Sequence, residues 1–451
     1  MNTVTPAPPR FGRSPEPRRL WATLRPTGIV GAAGARGRLL PEVSVQSWRD
    51  HLRRYGALPE VSAAELIALS ESARLTGRGG GAFPTGRKIA AVLDGIRSGR
   101  RAVVVANCCD GDPTTGKDSA LLAWAPHLVV DGAILLGRAL RADRTALAVH
   151  VGSPGRSAVL AALRSRVEGS GGAAEVEVVA VPARFVASEA SSLVSLINTG
   201  DARPLGRFAP IWRRGVDGAP TLVVNAETLA TLALLARFGP GWHAQVGLAD
   251  EPGTVLVTIA GSVPAPTVVE VAIGTPLRAV LAAAGAEPSG DALLGGLGGG
   301  SVDLTSAAEI PYSAAGLRSL GTRRGVGSIV VLPANGCLLA ETVRISRYLA
   351  DESAGQCGPC MFGLPAVAAD LYALARGDRD ALDRLRRRLP VVTGRGGCSH
   401  PDGAVGMVAS ALAVLTGRAA QHLSQHLRRG GCDGLGPVVP LPDGDHRENP
   451  R

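Results

Sequence analysis

Residues 101–151 read RAVVVANCCDGDPTTGKDSALLAWAPHLVVDGAILLGRALRADRTALAVHV, and this stretch decides the fold. The apolar run at 101–107 predicts a buried strand, His127 to Leu140 predict a helix, and 145–151 predicts the next strand. Outward from there the alternation continues, with predicted elements at 157–167, 175–181 and 189–197. Strands that alternate with helices of this length are typical of an α/β fold with a mostly parallel sheet, in which ligands bind beside the carboxyl ends of the strands.

The hydrophobic pattern changes after about residue 240. Alternating apolar residues at 255–259 and 269–273 predict a small β-rich module, whose glycine run at 295–300 is either a flexible loop or a close backbone contact. From about residue 337, helical patterns dominate. We therefore predict a flexible Pro/Arg-rich leader, an α/β domain, a β-rich domain, a helical domain and a flexible tail, at 1–44, 45–245, 246–333, 334–430 and 431–451.

The composition of the 451-residue chain excludes several classes of protein. The net charge is +10, but the charge is scattered and aromatic residues are 3%, so nucleic-acid binding is not predicted. No apolar run reaches the roughly 18 residues of a membrane span, and the N-terminus has no apolar signal-peptide core. We expect a cytoplasmic protein without direct membrane insertion. Only two of the 48 basic residues are lysines, Lys88 and Lys117.

Lys88 closes a glycine-rich loop, Gly77–Lys88, which reads GRGGGAFPTGRK. Backbone N–H groups around Gly77, Arg78, Gly79 and Gly80 can approach a phosphate closely, and Lys88 can supply a positive charge to it. Phe83 offers a flat apolar surface to a ring. The pattern favours a phosphate or flavin site, and the alternative is a plain flexible loop.

Lys117 lies near the end of an acidic loop, Asn107–Asp118, which follows the strand at 101–107 directly. Asn107, Asp110 and Asp112 can there hydrogen-bond a ribityl chain, a ring edge or a ribose hydroxyl. An Asx-rich turn would use the same residue types, so the pattern alone does not separate the two. The adjacent Cys108 and Cys109 receive no role, because a disulfide between them would be strained.

Three further cysteines have metal-ligand spacing. Cys357-Gly358-Pro359-Cys360 is a C-x-x-C motif, and Cys398 follows it after a predicted helical stretch. Two near thiolates and one distant thiolate suit an iron–sulfur cluster. Zinc bound by the same cysteines and His400 is the competing hypothesis, and a motif without metal is the third. The pair His422 and His426 is expected on a solvated helix.

Taken in order, these motifs resemble the 51 kDa NADH-oxidising flavoprotein subunits of respiratory complex I and the related diaphorase subunits of hydrogenases and formate dehydrogenases. The family's GRGGAGFPTGxK loop is similar to Gly77–Lys88, and its acidic N-x-D-E-x-E-P-G-T-x-K-D loop is similar to Asn107–Asp118. Its V-N-N-V-E-T-L segment corresponds to Val223–Leu229, and its E-S-C-G-x-C-x-x-C run to Glu352–Cys360. The resemblance covers about residues 60–420.

The resemblance implies a fold of three parts: a Rossmann-like FMN-binding α/β domain, a ubiquitin-like β-grasp (SLBB-like) domain, and a helical bundle that carries the iron–sulfur motif. It implies an NADH:acceptor oxidoreductase, in which a hydride passes from NADH to FMN and single electrons pass through a four-iron four-sulfur cluster to a protein acceptor. The flavin carries the chemistry, so no catalytic side chain is assigned. The implied cofactor-binding residues are Gly77, Arg78, Gly79, Gly80, Phe83, Lys88, Asn107, Asp110, Asp112, Glu189, Asn225 and Thr228.

The implied metal ligands are Cys357, Cys360 and Cys398, because Ala354 occupies the position of the family's first cysteine. The fourth ligand is left open among His400, Cys432, a solvent molecule or none. The implied partners are NADH and an electron-accepting subunit, either ferredoxin-like or a membrane-associated reductase. With such a reductase, the protein would lie at the periphery of a membrane complex. Two other functions stay open: a non-catalytic or cluster-deficient scaffold, and a flavoprotein whose donor is NADPH or ferredoxin.

Overall fold

The computed structural model describes residues 28–96, 101–170, 175–206, 210–432, 434 and 438–442. Within these residues the chain forms a four-stranded sheet, a six-stranded sheet and a C-terminal group of helices. This order confirms the predicted α/β fold with a small β domain and a helical C-terminal region. The strands are β1 (Ile29–Val30), β2 (Val103–Asn107), β3 (Arg144–His150), β4 (Glu177–Val181), β5 (Thr221–Asn225), β6 (Thr254–Gly261), β7 (Thr267–Ala272), β8 (Asp291–Leu294), β9 (Gly300–Asp303) and β10 (Ser328–Val331).

The four-stranded sheet is parallel throughout and has the order β4-β3-β2-β5. The central strand β2 is buried up to its last residue, as expected for a strand covered by helices on both faces. Asn107 and Asn225 are register partners at the ends of β2 and β5. The two asparagines therefore lie side by side at the carboxyl edge of the sheet, where ligands bind in α/β folds.

Helices surround this sheet and form the rest of the first domain. They are α1 (Trp48–Tyr55), α2 (Ala63–Ser72), α3 (Thr85–Ile96), α4 (Lys117–Trp124), α5 (Pro126–Ala139), α6 (Pro154–Ser170), α7 (Ala190–Thr199) and α8 (Ala226–His243). Glu189 is the N-cap of α7, and Asn225 is the N-cap of α8. Because both helices begin at the carboxyl edge of the sheet, their capping side chains are brought to the same place.

The six-stranded sheet has the order β1-β7-β6-β10-β8-β9. Its β6/β7 hairpin is antiparallel and β10 pairs parallel with β6, while three short helices complete the domain: α9 (Leu277–Ala282), α10 (Leu304–Ala307) and α11 (Ala314–Ser319). The C-terminal domain consists of α12 (Leu338–Asp351), α13 (Leu364–Ala375), α14 (Asp380–Val392), α15 (His400–Thr416) and α16 (Ala420–Arg429).

Both predicted flexible ends contain packed residues, which corrects part of the predicted domain division. β1 pairs with β7, and the backbone amides of Arg38, Leu39 and Leu40 all donate to the Glu270 carboxylate. The packing of this segment could not be predicted from composition, because the buried Glu270 carboxylate, rather than an apolar pattern, holds the segment in place. At the other end Val439 is fully buried against the helical domain. Residues 1–27 and 443–451 lie outside the described residues.

Among the described residues, no single helix has the length and apolar character needed to cross a membrane. Two helix pairs reach that length and composition only when each pair is counted together, and both are sharply bent: α4 with α5, and α15 with α16.

Candidate functional site

A cavity of about 500 Å³ opens at the carboxyl edge of the parallel sheet. All three domains contribute to its wall. The residues predicted from the sequence that line it are Gly77, Arg78, Gly79, Gly80, Phe83, Lys88, Asn107, Asp112, Glu189, Asn225, Thr228 and Cys398. The structure thus brings together all but one of the twelve predicted cofactor-binding residues, and it adds one predicted cluster cysteine.

The glycine-rich loop forms one wall of the cavity. The Arg78 amide donates to Thr228 Oγ1 over 3.0 Å, which ties the loop to the first turn of α8. The loop then leads into α3 at Thr85, so a helix N-terminus also borders the cavity. Backbone amides and a helix N-terminus at one wall are an arrangement that binds phosphate.

Two cations on this loop have donors to offer. Burial lowers the pKa of Arg78 to about 10, and its Nε and Nη1 are buried without a hydrogen-bond partner in the part of the chain that the structure describes. The Lys88 ammonium, whose pKa is lowered by burial, contacts the Val223 carbonyl oxygen. Buried donors without partners carry an energetic cost, so the site fits an anionic ligand such as the phosphate of FMN.

Lys117 is the centre of a buried ionic network beneath the cavity. Its Nζ lies 2.7 Å from Asp118 Oδ1, 3.0 Å from Glu227 Oε2 and 3.1 Å from Asn225 Oδ1. Burial, reinforced by the Asp110 charge and opposed by Lys117, raises the pKa of Asp118 to about 7. Sequence reasoning singled out Lys117 but missed the roles of Asp118 and Glu227. The network orients Asn225, since Asn225 Nδ2 also donates to Asp118 Oδ2 over 2.6 Å.

The acidic loop differs from the prediction at Asp110. The Asp110 side chain is not among the cavity-lining residues. Its oxygens instead accept the backbone amides of Asp118 (3.1 Å) and Ser119 (2.7 Å) at the start of α4. The Asp110 carboxylate therefore caps a helix, and its contact with a cofactor stays a prediction.

Asp112 and Asn107 do border the cavity, but each also has a structural partner. Asp112 accepts the Thr114 amide at one oxygen and the Leu297 amide at the other, over 3.0 and 2.7 Å. Asn107 Nδ2 donates to the Ser188 carbonyl oxygen over 2.8 Å. Glu189 accepts the amides of Ser191 and Ser192 at the start of α7. These side chains therefore hold the backbone around the cavity in place and also line the cavity.

The β-rich domain supplies a wall that sequence reasoning did not assign to the site. Its contribution comes from Gly295, Gly298, Arg323, Gly325 and Val326. The glycine run at 295–300 was the available signal, and the structure resolves its alternatives in favour of a close backbone contact. A Cβ on Gly296 would lie 2.4 Å from Asp112 Oδ2. Arg323 carried no sequence signal, because the β-rich domain gave no reason to expect a charged group at the site.

The predicted cluster cysteines come together from two segments. Burial, with the neighbouring Cys357 and Cys398, raises the pKa of the Cys360 thiol to about 12. The Gly397 amide donates to Cys357 Sγ over 3.5 Å and so joins the segments. Cys398 and His400 also line the cavity, so the cysteine group reaches the same cavity as the glycine-rich loop.

Ala354 offers no ligand atom, so the fourth position of a cluster is filled by another residue, by solvent or by nothing. The neighbouring Ser353 side chain opposes the burial that raises the pKa of Cys360. His400 Nε2 donates to the Leu349 carbonyl oxygen over 2.7 Å, while its buried Nδ1 has no hydrogen-bond partner in the described part of the chain. The three thiols and one non-cysteine ligand together would supply the donor atoms of such a cluster.

Cys432, one of the predicted fourth ligands, lies in a different group. Its Sγ is within 4.8 Å of ligand atoms of Cys337, His422 and His426. The prediction that His422 and His426 lie on a solvated helix face is also wrong, because His426 is buried and His422 half-buried against Cys337. Sequence reasoning missed this group because Cys337 is about 90 residues from the others.

Two family models match the chain and together cover more than half of it. The Nuo51 FMN-binding domain matches residues 70–234, and the NADH-ubiquinone oxidoreductase-F iron-sulfur binding region matches residues 340–422. The first match contains the glycine-rich and acidic loops, and the second contains Cys357, Cys360 and Cys398. The FMN and iron–sulfur assignments are thus confirmed at the level of the family.

Curated relatives match most of the chain. The NADH-quinone oxidoreductase F subunit of Salmonella typhimurium is 28% identical over 380 residues, which are 79% of this chain and 84% of the relative. The protein of the same name from Mycobacterium bovis is 27% identical over 412 residues, which are 85% of this chain and 90% of the relative.

The fold is also found in a solved structure. A crystal structure of an NAD+-reducing [NiFe]-hydrogenase in the H2-reduced state aligns with a TM-score of 0.71 at 24% identity, covering 83% of this chain and 64% of that chain. At that identity the likeness shows the fold alone. The motifs, both family models and the curated relatives agree, and this chain belongs to the family of NADH-oxidising flavoprotein subunits that includes the 51 kDa subunit of complex I.

Proposed function

We propose that the chain is an NADH dehydrogenase subunit that binds FMN in the cavity at the carboxyl edge of the parallel sheet. The observation that carries this proposal is the meeting of three features in that cavity: the glycine-rich loop, the buried donors of Arg78 and Lys88, and Cys398. When bound, FMN accepts a hydride and releases electrons one at a time. The protein contributes the binding, the orientation and the exclusion of water.

The residues that would hold FMN fall into two groups. The backbone amides of Gly79 and Gly80, with the side chains of Arg78 and Lys88, would hydrogen-bond its phosphate. Asn107, Glu189, Asn225 and Thr228 would hydrogen-bond its polar edge, because they line the same cavity and the helix caps hold their backbones in place. Asp110 has no place in this set, since its carboxylate caps α4.

NADH would enter beside Phe83, whose side chain is 55% exposed on the cavity wall. An exposed aromatic ring at the mouth of a polar cavity offers a stacking surface for a nicotinamide or adenine ring. Asp112 lines the same region, with Leu297 and Thr114 holding its carboxylate. Arg323 adds a positive charge from the β-rich domain.

Cys357, Cys360 and Cys398 would bind the iron–sulfur cluster, with Ser353, His400 or solvent completing the set. The surface next to Cys360 is apolar and exposed: Met361 is 54% exposed and Phe362 is 71% exposed. Exposed apolar groups beside a redox centre are suited to a protein partner. We propose that an electron-accepting subunit docks here, which would place the chain in a multisubunit complex like the one its relatives are named for.

The proposal is tested by the FMN affinity of Lys88→Ala, with Arg87→Ala as the matched control. Arg87 is the adjacent cation, but it is exposed and does not line the cavity. We expect wild type and Arg87→Ala to copurify with about one FMN per chain, and Lys88→Ala to bind FMN at least about tenfold more weakly, as for loss of one charge-assisted contact. Wild-type protein that binds no FMN after reconstitution would overturn the proposal.

A further inference from the structure

Four potential metal ligands meet in the C-terminal domain, in a group separate from the iron–sulfur cysteines. Cys337 is the N-cap of α12, His422 and His426 lie one turn apart on α16, and Cys432 follows α16. One ligand atom from each lies within 4.8 Å of all the others. We propose that these four side chains, Cys337, His422, His426 and Cys432, bind one zinc ion that stabilises the fold.

The distances agree with a tetrahedral zinc site. A tetrahedron with Zn–S of about 2.3 Å and Zn–N of about 2.0 Å has S···N edges of about 3.5 Å. Cys337 Sγ lies 3.3 Å from His426 Nε2 and 3.3 Å from His422 Nε2. Two imidazole nitrogens that converge on one sulfur are poorly served by a single S–H, whereas a cation between them would be bound by all three atoms.

The tautomer of His426 is the one that a metal ligand needs. Its Nδ1 lies 2.9 Å from the Ala375 carbonyl oxygen. Because a carbonyl oxygen only accepts, Nδ1 carries the proton and donates it, which leaves a lone pair on Nε2 facing Cys337. Such a bond from the remote ring nitrogen to a backbone carbonyl is the usual support of a zinc-binding histidine.

Both sulfur atoms accept backbone amides, as zinc-bound thiolates do. The Ala340 amide donates to Cys337 Sγ over 3.2 Å at the start of α12, and the Gly434 amide donates to Cys432 Sγ over 3.4 Å. A Cβ on Gly434 would lie 2.8 Å from the Cys337 Cβ, so the close turn around Cys432 needs a glycine at this position. Two thiolates and two neutral imidazoles would make the site with Zn2+ electrically neutral.

The role that fits this site is structural. Four protein ligands fill a tetrahedron and leave no open position, which is the pattern of structural rather than catalytic zinc. The ligands come from the first helix of the domain, from its last helix and from the segment beyond it. The ion would therefore hold α16 and the C-terminal segment, including the buried Val439 and Leu441, against α12. The inference does not depend on flavin or iron chemistry.

The test is the zinc and iron content of purified protein by elemental analysis, with reductant present and after desalting against a weak chelator. The double variant His422→Ala/His426→Ala is compared with Gln421→Ala/Gln425→Ala, which changes two exposed residues of α16 at the same spacing. We expect about one zinc ion per chain in wild type and in the glutamine control. The histidine variant should hold less than about a tenth of that, with a lower melting temperature. Cys360→Ser should lose iron and keep its zinc.

A second variant and a second metal probe test the proposal even if the double histidine variant does not fold. Cys432 lies beyond the last helix, and the variant Cys432→Ser should also lose zinc. Wild-type protein whose zinc is exchanged for Co2+ should show the visible absorption of a tetrahedral thiolate site. Wild-type protein that holds no zinc after incubation with ZnCl2 would overturn the proposal. A disulfide between Cys337 and Cys432 that persists in the presence of reductant and zinc would also overturn the proposal. Equal zinc contents in wild type and in the histidine variant would overturn it too.

Discussion

The carboxylate of Asp112 accepts the backbone amide of Leu297 over 2.7 Å, and this bond joins the acidic loop of the flavin domain to the glycine run of the β-rich domain. Asp112 is buried, and Thr114 holds its other oxygen. The backbone at Leu297 can approach because the preceding residue, Gly296, has φ of +90° and no side chain. The cavity wall therefore depends on a contact between two domains.

Gly296→Ala should separate these domains at the cavity. The added methyl group would lie 2.4 Å from Asp112 Oδ2, in a backbone region that costs about 1–2 kcal/mol for a residue with a side chain. We expect weaker FMN binding, measured by fluorescence of the released flavin. Gly321→Ala is the control, because Gly321 also has a positive φ but its Cβ would meet nothing within 4 Å. Equal FMN affinities of the two variants would contradict this role of the glycine.

Lys117→Met should destabilise the first domain strongly. The substitution leaves Asp118 buried without its cation and leaves Glu227 with only the longer contact of 4.0 Å to Arg78 Nε. Breaking a buried ion pair costs about 3–5 kcal/mol. Urea unfolding of the flavin-free protein measures the change. Lys117→Met/Asp118→Asn should recover part of the loss, since it removes one uncompensated charge. A single variant within about 1 kcal/mol of wild type would show that the network is not stabilising.

Ala354→Cys should raise the iron content. Three predicted thiol ligands are present, and Ser353, His400 or solvent are the candidates for the fourth position. A fourth thiolate binds iron more tightly than any of these, so anaerobically purified Ala354→Cys should hold more iron and sulfide than wild type. A wild-type protein that already holds four irons per chain would contradict this prediction and would make His400→Ala the next variant to measure.

The contribution of His127 to the free energy of unfolding should fall as the pH decreases from about 6.5 to about 4. Burial, with the charges of His51 and Arg166, lowers the pKa of His127 to about 4, and its Nε2 donates to the Gln46 carbonyl oxygen. The unfolded chain takes up a proton below pH 6.5 that folded His127 does not, which costs about 1.4 kcal/mol per pH unit until the folded pKa is reached. His127→Gln should reduce this slope in urea unfolding at several pH values, and an unchanged slope would contradict it.

Much of the fold could be predicted because its elements are local. The continuous apolar runs of β2 and α5 identify both elements in the sequence itself. The packing of Arg38–Leu40 on Glu270 could not be predicted, because it depends on three amides that meet one carboxylate about 230 residues away. Only tertiary structure brings such groups together.

The site shows the same division. Eleven of the twelve predicted cofactor residues line the cavity, because they lie in the glycine-rich loop and the helix after it, at the end of β2 and in the loop that follows, or at the starts of α7 and α8. Asp110 does not line the cavity, because its carboxylate caps a helix instead. A carboxylate before a helix can cap that helix or face a ligand, and the sequence is the same in both cases. Glu227 and Cys337 were missed because their partners are distant in the chain.

The central claim is that NADH reduces FMN bound in the cavity at the carboxyl edge of the parallel sheet. The measurement that tests it most directly is anaerobic titration of FMN-loaded wild-type protein with NADH, followed by the visible flavin absorption. We predict that NADH bleaches the flavin band and that NADPH does so far more slowly. A flavin band that stays unchanged with NADH, or that bleaches only with NADPH, would contradict the claim.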